Sequence, residues 1–468
     1  MCFNRPAHYG NENARSLINS NAMRIVLVTH FFPPRHNAGT ENYTLGVARA
    51  LVTRGHTVSV VCANDWSDGA AYWNGVIEER VDDGFPVHRV NLNWTKASDA
   101  NRVLYDSQPA EEWFAGVLSE APPDIVHVTS AATLGVGVLR AARRSGARLI
   151  LTLMDFWFLC ARTLLVRGRG QLCDGRTSAW DCQRCLLESS HVFQRLEPWM
   201  PPPSDRLLWG TVAKLPALSR LRGARGMALD MSDRKSSMKE ALGLPDVVIS
   251  HSRFVQQVFA ASELSDRIRH IPNGHDLSWL DGYSGKAASA VTRVGYMGQV
   301  VEAKGIHTLV AAFQRSERRG LATLDIWGDL RKDPSYADRL RSATAGSDDI
   351  VLRGRFEHDD LAAVLTDVDV LVVPSSWYEN SPLVIQEAFA TRTPVIATDL
   401  GGMAEAVTHN VNGLLFERGS VEDLACQLRR VIDEPSLLSN LAAGISRVKT
   451  VDEEVDELEA TYHQALAG

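Results

Sequence analysis

Val368-Asp369-Val370-Leu371-Val372-Val373-Pro374-Ser375-Ser376-Trp377-Tyr378-Glu379-Asn380-Ser381-Pro382-Leu383-Val384-Ile385-Gln386-Glu387-Ala388-Phe389 is the stretch that decides the fold of this chain. Its first six residues are short, apolar and β-branched, which reads as a strand in a core. Ser375 to Ser381 is a polar loop. Ser381-Pro382 then reads as an N-cap with proline at the first helical position, and Leu383, Val384, Ala388 and Phe389 continue at helical spacing. A strand that enters a helix through a polar loop belongs to a parallel sheet, and such sheets bind ligands beyond their carboxyl-terminal strand ends. Glu379 is expected just outside the helix and Glu387 about two turns in. Between them, unpaired N–H groups and a positive dipole end suit a diphosphate. Each carboxylate can accept two hydrogen bonds at once, enough to grip a vicinal diol.

The same strand–helix alternation runs through both halves of the chain. In the first half it predicts strands at Arg24–Thr29, Thr57–Cys62, Asp124–Val128, Arg148–Leu153 and Asp246–Ser250. In the second half it predicts Val291–Met297, Leu324–Trp327, Ile350–Leu352, Val368–Val373 and Pro394–Ala397. Apolar periodicity lapses near 273–292, so the expected organisation is α/β, with two Rossmann-like parallel-sheet lobes facing an interdomain cleft. The lobes are placed at 23–275 and 290–450. Residues 1–22 are polar and asparagine-rich and read as a disordered or untranslated leader, with Met23 a possible start. Residues 451–468 read as a helix packing back across the lobes.

Composition narrows the function classes. At 468 residues the chain exceeds one ordinary core, which supports the two-lobe count. A formal net charge of −7 argues against general nucleic-acid binding. No apolar run reaches the length of a membrane span, and no apolar signal-peptide core is visible, so a cytoplasmic protein is the expectation.

Two further loops carry candidate chemistry. His30 to Glu41 leads from the first strand into a helix, and Gly39 would let backbone approach a phosphate without a side chain in the way. Neither G-x-G-x-x-G nor a Walker sequence is present, so a nicotinamide cofactor is unsupported. Gly295 to His307 runs from strand to helix through two glycines. Lys304 stands near the predicted helix start, where a lysine gains nothing from the dipole. It reads either as a group for a leaving diphosphate or as a solvated side chain. Asp367-Val368-Asp369 has the form of a metal-binding D-x-D, but it enters a buried strand and is read as coincidence.

These pieces together resemble family 4 of the retaining glycosyltransferases, which have the GT-B fold. The resemblance rests on Pro33-Pro34…Gly39, Arg54-Gly55-His56, Pro123-Asp124-Ile125-Val126-His127 and Ile271-Pro272-Asn273-Gly274. In the second half it rests on Gly298…Lys304-Gly305, Glu379…Glu387, Gly401-Gly402-Met403-Ala404-Glu405 and Asn412-Gly413-Leu414-Leu415. It implies a nucleotide-sugar donor and a sugar or lipid-linked alcohol acceptor, in surface glycan, glycolipid or cell-wall assembly, with catalysis that needs no cofactor or divalent metal. By the same resemblance, Glu379 would hold the donor sugar, Glu387 the ribose and Lys304 the departing diphosphate. Gly39, Gln299, Asn380, Ser381, Pro382, Leu383 and His127 would line the substrate, and Asp155 or another group would compensate beside the reacting sugar for a histidine that Met154 replaces. Two departures stand out: Gln299 where many relatives carry arginine, and Met154 where histidine is common. They keep alive the alternative of an inactive GT-B protein serving as a binding or scaffold partner.

Two segments lie outside that pattern. Cys160, Cys173, Cys182 and Cys185 cluster in a loop at 155–190, and Cys-x2-Cys with two more thiols is the inventory of a tetrahedral zinc site. The other reading is four unrelated thiols. Residues 191–240 form an insertion with nine Lys/Arg against five Asp/Glu, mixed with Phe193, Trp199, Leu207, Leu208 and Trp209. That mixture suits peripheral contact with an anionic membrane, at the inner face of a cell, or a helical cap over the acceptor side of the cleft.

Overall fold

The computed structural model describes residues 22–64, 69–80, 84–99, 101–188, 191–196, 227–261 and 267–468. The leader and most of the basic insertion, including Trp199, Leu207, Leu208 and Trp209, lie outside the described residues. Among the described residues the strands form two sheets. The first holds β1 (Arg24–Val28), β2 (Thr57–Ala63), β3 (Trp73–Arg80), β4 (Pro86–Leu92), β5 (Ile125–Val128), β6 (Arg148–Leu153), β7 (Val247–Ser250) and β8 (Ile268–His270). Its order is β3-β4-β2-β1-β5-β6-β7-β8, parallel except for β3 against β4. The second holds β9 (Thr292–Met297), β10 (Ala322–Trp327), β11 (Ile350–Gly354), β12 (Val370–Val373), β13 (Val395–Thr398) and β14 (Gly413–Phe416), in the order β11-β10-β9-β12-β13-β14, all parallel.

Each sheet is buried on both faces, as parallel sheets must be when helices return over them. In β1, Ile25 and Leu27 join one apolar cluster while Val26 and Val28 join the other. β12 divides in the same way, with Val370 and Val372 on one side and Leu371 and Val373 on the other.

The chain crosses between lobes twice, and the two crossings touch. His275 bridges Thr450, with His275 N–H bonding Lys449 O at 3.0 Å and Val451 N–H bonding His275 O at 3.1 Å. A Cβ on Gly274 would lie 2.2 Å from Thr450 O, so only glycine lets the strands meet. The terminal helix Val451–Ala467 then lies on the first lobe and buries Val455, Leu458 and Tyr462. Its Glu454 accepts from Tyr43 Oη at 2.8 Å and from Gly274 N–H at 2.6 Å.

The structure differs from the sequence reading at His127. Its side chain is fully buried, with Nδ1 2.7 Å from Tyr462 Oη and Nε2 2.7 Å from Thr152 Oγ1. Burial holds the imidazole down at about 3, so it stays neutral. Both nitrogens are engaged with the protein, which makes His127 a tie between sheet and terminal helix and not a substrate contact. Tyr462→Phe leaves Nδ1 without its partner and is expected to destabilise the protein by about 1–3 kcal/mol. Chemical denaturation would measure this; an unchanged midpoint would count against the tie.

Candidate active site

The loop after β12 and the loop after β9 are locked together by close backbone contact. Gly305 has φ of 71°, and a Cβ there would sit 2.0 Å from Pro374 O. Ser376 N–H bonds Ala303 O at 2.9 Å. Lys304 therefore lies in a short 3-10 turn, Glu302–Lys304, one residue before the helix Ile306–Arg315. Its Nζ reaches Glu379 Oε1 at 2.6 Å and stands 5.2 Å from the Trp377 ring centre. The same oxygen accepts from Ser375 Oγ at 2.8 Å and from Trp377 Nε1. Burial would raise Glu379, but Lys304 and these hydrogen bonds outweigh it and hold the carboxyl below its ordinary value. Behind the loop, Gly402 N–H bonds Glu379 O at 2.9 Å, and a Cβ on Gly402 would fall 1.6 Å from Asn380 O.

The helix after this loop begins later than its sequence suggests. It spans Leu383–Ala390, Pro382 is its N-cap residue, and no side chain caps it. Ser381 Oγ instead donates to Asn273 Oδ1 at 2.6 Å, so the hydroxyl expected to cap is taken by the inter-lobe crossing. Ile385 N–H bonds Pro382 O at 3.1 Å, which leaves the Leu383 and Val384 N–H groups for an anion. Glu387 is consequently little more than one turn in, roughly 6 Å along the axis from Leu383. It is half-buried and has no hydrogen bond or ion pair with another described residue, and burial pushes it up to about 7.

The first lobe supplies the facing wall. Asn380 Nδ2 donates to Leu153 O at 2.9 Å and Met154 O at 3.2 Å, while its Oδ1 accepts from Ser252 Oγ at 2.7 Å. Phe254 and Tyr378 rings meet at 4.9 Å, and Glu405 accepts from the Arg253 and Phe254 N–H groups at 2.9 Å each. A Cβ on Gly39, the first residue of the helix Gly39–Thr53, would lie 4.0 Å from Leu383 Cδ1. Asp155 is half-buried and raised by that burial, although the Trp157 N–H, 2.8 Å from Oδ1, works the other way. Glu379, Glu387, Lys304, Asn380, Ser381, Pro382 and Leu383 thus cluster on one lobe, opposite Gly39 and the Met154–Asp155 turn.

Residues 291–434 match the family described as "Glycosyl transferases group 1", and residues 38–193 match the "Glycosyl transferase 4-like domain". The chain belongs to the group 1, family 4-like glycosyltransferases. The fold is GT-B. A sucrose-phosphate synthase structure from Thermosynechococcus elongatus superposes with a TM-score of 0.64 at 18% identity, covering 95% of this chain and 99% of that one. Anabaena HepE with UDP and glucose gives 0.61 at 18% identity, over 94% and 100%. Among curated relatives, glycogen synthase from Mycobacterium tuberculosis is 30% identical over 39% of this chain and 44% of its own length, so the match spans under half of that protein. GDP-mannose-dependent alpha-mannosyltransferase from Mycolicibacterium smegmatis is 26% identical over 87% of each chain.

Within this group 1 glycosyltransferase, several site residues escaped the sequence. Fully buried Arg89 holds the Pro33-Pro34 loop by donating to Phe32 O at 2.9 Å and Pro33 O at 2.6 Å. Buried Glu41 sits 3.3 Å from His30 Nε2 at the start of the same helix as Gly39. Arg418 donates to Ser376 O and Gly170 O, each at 2.6 Å, and so joins the glutamate loop to the cysteine-rich loop. A lone arginine far along the chain gives no sequence signal for that role. The backbone of Gln299 is fixed through its main-chain carbonyl, which accepts from Tyr296 Oη at 2.8 Å. Asp367 and Asp369 are paired with Arg293, at 3.1 and 2.7 Å, which accounts for D-x-D without a metal. The four cysteines line one cavity, although no set of three or more His, Cys, Asp or Glu among the described residues is arranged to hold a metal ion.

Proposed function

We propose that this chain transfers a sugar, with retention at the anomeric carbon, from a nucleotide diphosphate sugar to an alcohol acceptor in surface glycan, glycolipid or cell-wall assembly. The observation that carries the reading is the arrangement around the uncapped helix at Leu383: Lys304 paired with Glu379 on one side, and Glu387 with no partner among the described residues on the other. Glu387 would accept the ribose hydroxyls, the first helical N–H groups and Lys304 would bind the diphosphate, and Glu379 would take sugar hydroxyls. When the anomeric C–O bond breaks, the electron pair leaves on the diphosphate, and donors already in place stabilise it there. The acceptor oxygen bonds the anomeric carbon and gives up its proton to a base, for which a diphosphate oxygen and Asp155 are the candidates. Lys304 supplies positive charge from the chain itself, so added Mg2+ or Mn2+ is expected to leave the rate unchanged.

The similar proteins include an α-mannosyltransferase named as GDP-mannose-dependent and a structure holding UDP and glucose, which supports a nucleotide-sugar donor without choosing its base. A lipid-linked acceptor remains part of the proposal. No helix of the described residues is long and apolar enough to cross a membrane.

The test is a thermal-shift screen of the purified chain against UDP-, GDP- and ADP-sugars, followed by donor hydrolysis with the best of them. One donor class should stabilise the protein, and the shift should vanish in Glu387→Ala. If none binds, the chain is a scaffold and the reading fails.

A further inference from the structure

We infer that Cys160, Cys173, Cys182 and Cys185 form a structural zinc site that fixes the loop clasping the donor side of the cleft. All four thiols line a single cavity of about 30 Å3, whose wall also holds Leu159, Leu165 and Leu186 and the polar Arg162, Arg167, Thr177 and Asp181. That volume suits one ion or one water. No disulfide joins the four.

Cysteine also packs as a small hydrophobe, and four thiols could share a pocket for that reason alone. Three features point instead to bound thiolates. First, donors are aimed at the sulfurs. Gly175 N–H lies 3.5 Å from Cys173 Sγ, two residues along the chain, and Gly168 N–H is directed at Cys185. Thr177 Oγ1 is 3.1 Å from Cys182 Sγ. Such outer contacts are the ones that orient and stabilise metal-bound ligands.

Second, the charge is matched. Four thiolates around Zn2+ carry a net double negative charge, since each thiol gives its proton to solvent on binding. Arg162 and Arg167 line the cavity beside the four thiols.

Third, the loop carries two non-glycine residues in left-handed backbone. Thr163 and Leu165 both adopt positive φ, at 64° and 51°, in the turn between the first two cysteines. A Cβ on Gly168 would fall 2.8 Å from Cys185 O, so this turn is pressed against the helix Ala179–Leu187 that carries the last pair. Conformations of that cost persist when the surroundings over-determine them, and a tetrahedral metal does so. The thiols are short of a finished metal geometry in the side-chain positions shown. Each cysteine turns about one torsion among three staggered wells, and the proposal requires the thiols to turn onto the ion.

The site would matter to the cleft through Arg418, which holds Gly170 of this loop and Ser376 of the glutamate loop. The proposal stands apart from the choice of donor, because its readout is metal content.

The full chain, expressed with zinc in the medium, is expected to retain about one zinc per chain by elemental analysis. Cys182→Ser/Cys185→Ser should lose it, while Cys426→Ser, at an exposed cysteine of the second lobe, should keep it. If the double variant fails to fold, the native protein decides: a mercurial titration with a chromogenic chelator should release the zinc in step with thiol consumption. Cobalt substitution should add a thiolate-to-metal charge-transfer band. Chelation should lower Tm by at least about 5 °C. A metal-free protein with four reactive thiols, or a mass that reports disulfides among them, would overturn the proposal.

Discussion

Glu379→Gln and Lys304→Met are each expected to lower kcat by about 10²–10³-fold, and the double variant to lose little more than the worse single one. The reason is that the two side chains are one device. Lys304 Nζ sits 2.6 Å from Glu379 Oε1, and the same oxygen takes the Ser375 and Trp377 bonds. Removing the carboxylate releases the lysine from its position; removing the lysine leaves a buried carboxylate with only neutral donors. Groups coupled in this way are non-additive. The two singles should still differ in binding. Lys304→Met takes positive charge from the diphosphate and should weaken nucleotide diphosphate binding, whereas Glu379→Gln removes a repelling charge and should leave that binding intact or tighter. Steady-state kinetics and calorimetry on the four proteins would separate these effects. Additive losses in kcat would mean that the pair does not act as a unit.

Much of this was legible because it is local or periodic. Buried parallel strands such as Val368–Val373 announce themselves as apolar runs, and the glycine and glutamate positions of the second lobe lie within short motifs. What escaped is instructive. β3 is an antiparallel edge strand whose Trp73, Asn74, Val76 and Glu79 are half-buried, so it shows no apolar run. β8 and β14 have three and four residues, too few for periodicity to speak. His127 sits at the carboxyl end of a central strand, where ligands usually bind, yet its partner Tyr462 lies 335 residues away. Ser381 has the composition of a cap and the position of one, but Asn273 competes for its hydroxyl. Arg89 and Arg418 act through backbone carbonyls on other loops, which no spacing rule encodes. Local chemistry thus placed the glutamate loop, while long-range hydrogen bonds decided which of its polar groups face the cleft.

Glu387→Gln is expected to make the ligand-free protein more stable while weakening nucleotide binding at least about tenfold. Burial raises this carboxyl to about 7 from its ordinary 4.5, with no cation or donor to offset it. The folded state then holds a proton that the unfolded chain has already released. Stability therefore falls as pH rises from about 4.5 through about 7, and the full penalty, on the order of 3 kcal/mol, is present above that. Glutamine removes the ionisation, so the variant should gain that amount near pH 8 and almost nothing near pH 4. Glu454, also raised to about 7 by burial, contributes the same slope to both proteins, so the difference between the two stability curves isolates Glu387. Binding should run the opposite way. An ionised carboxylate accepts from both ribose hydroxyls, so the wild-type Kd should rise as pH drops below 7, approaching tenfold per unit. The variant should bind weakly at every pH. Denaturation and calorimetry across pH 5 to 8 would measure both. A wild-type Kd that is flat over that range, with unchanged stability in the variant, would mean that Glu387 is neither strained nor used. The physical content of the expectation is that a carboxylate kept unpaired beside a helix terminus is a standing destabilisation, retained because a ligand relieves it.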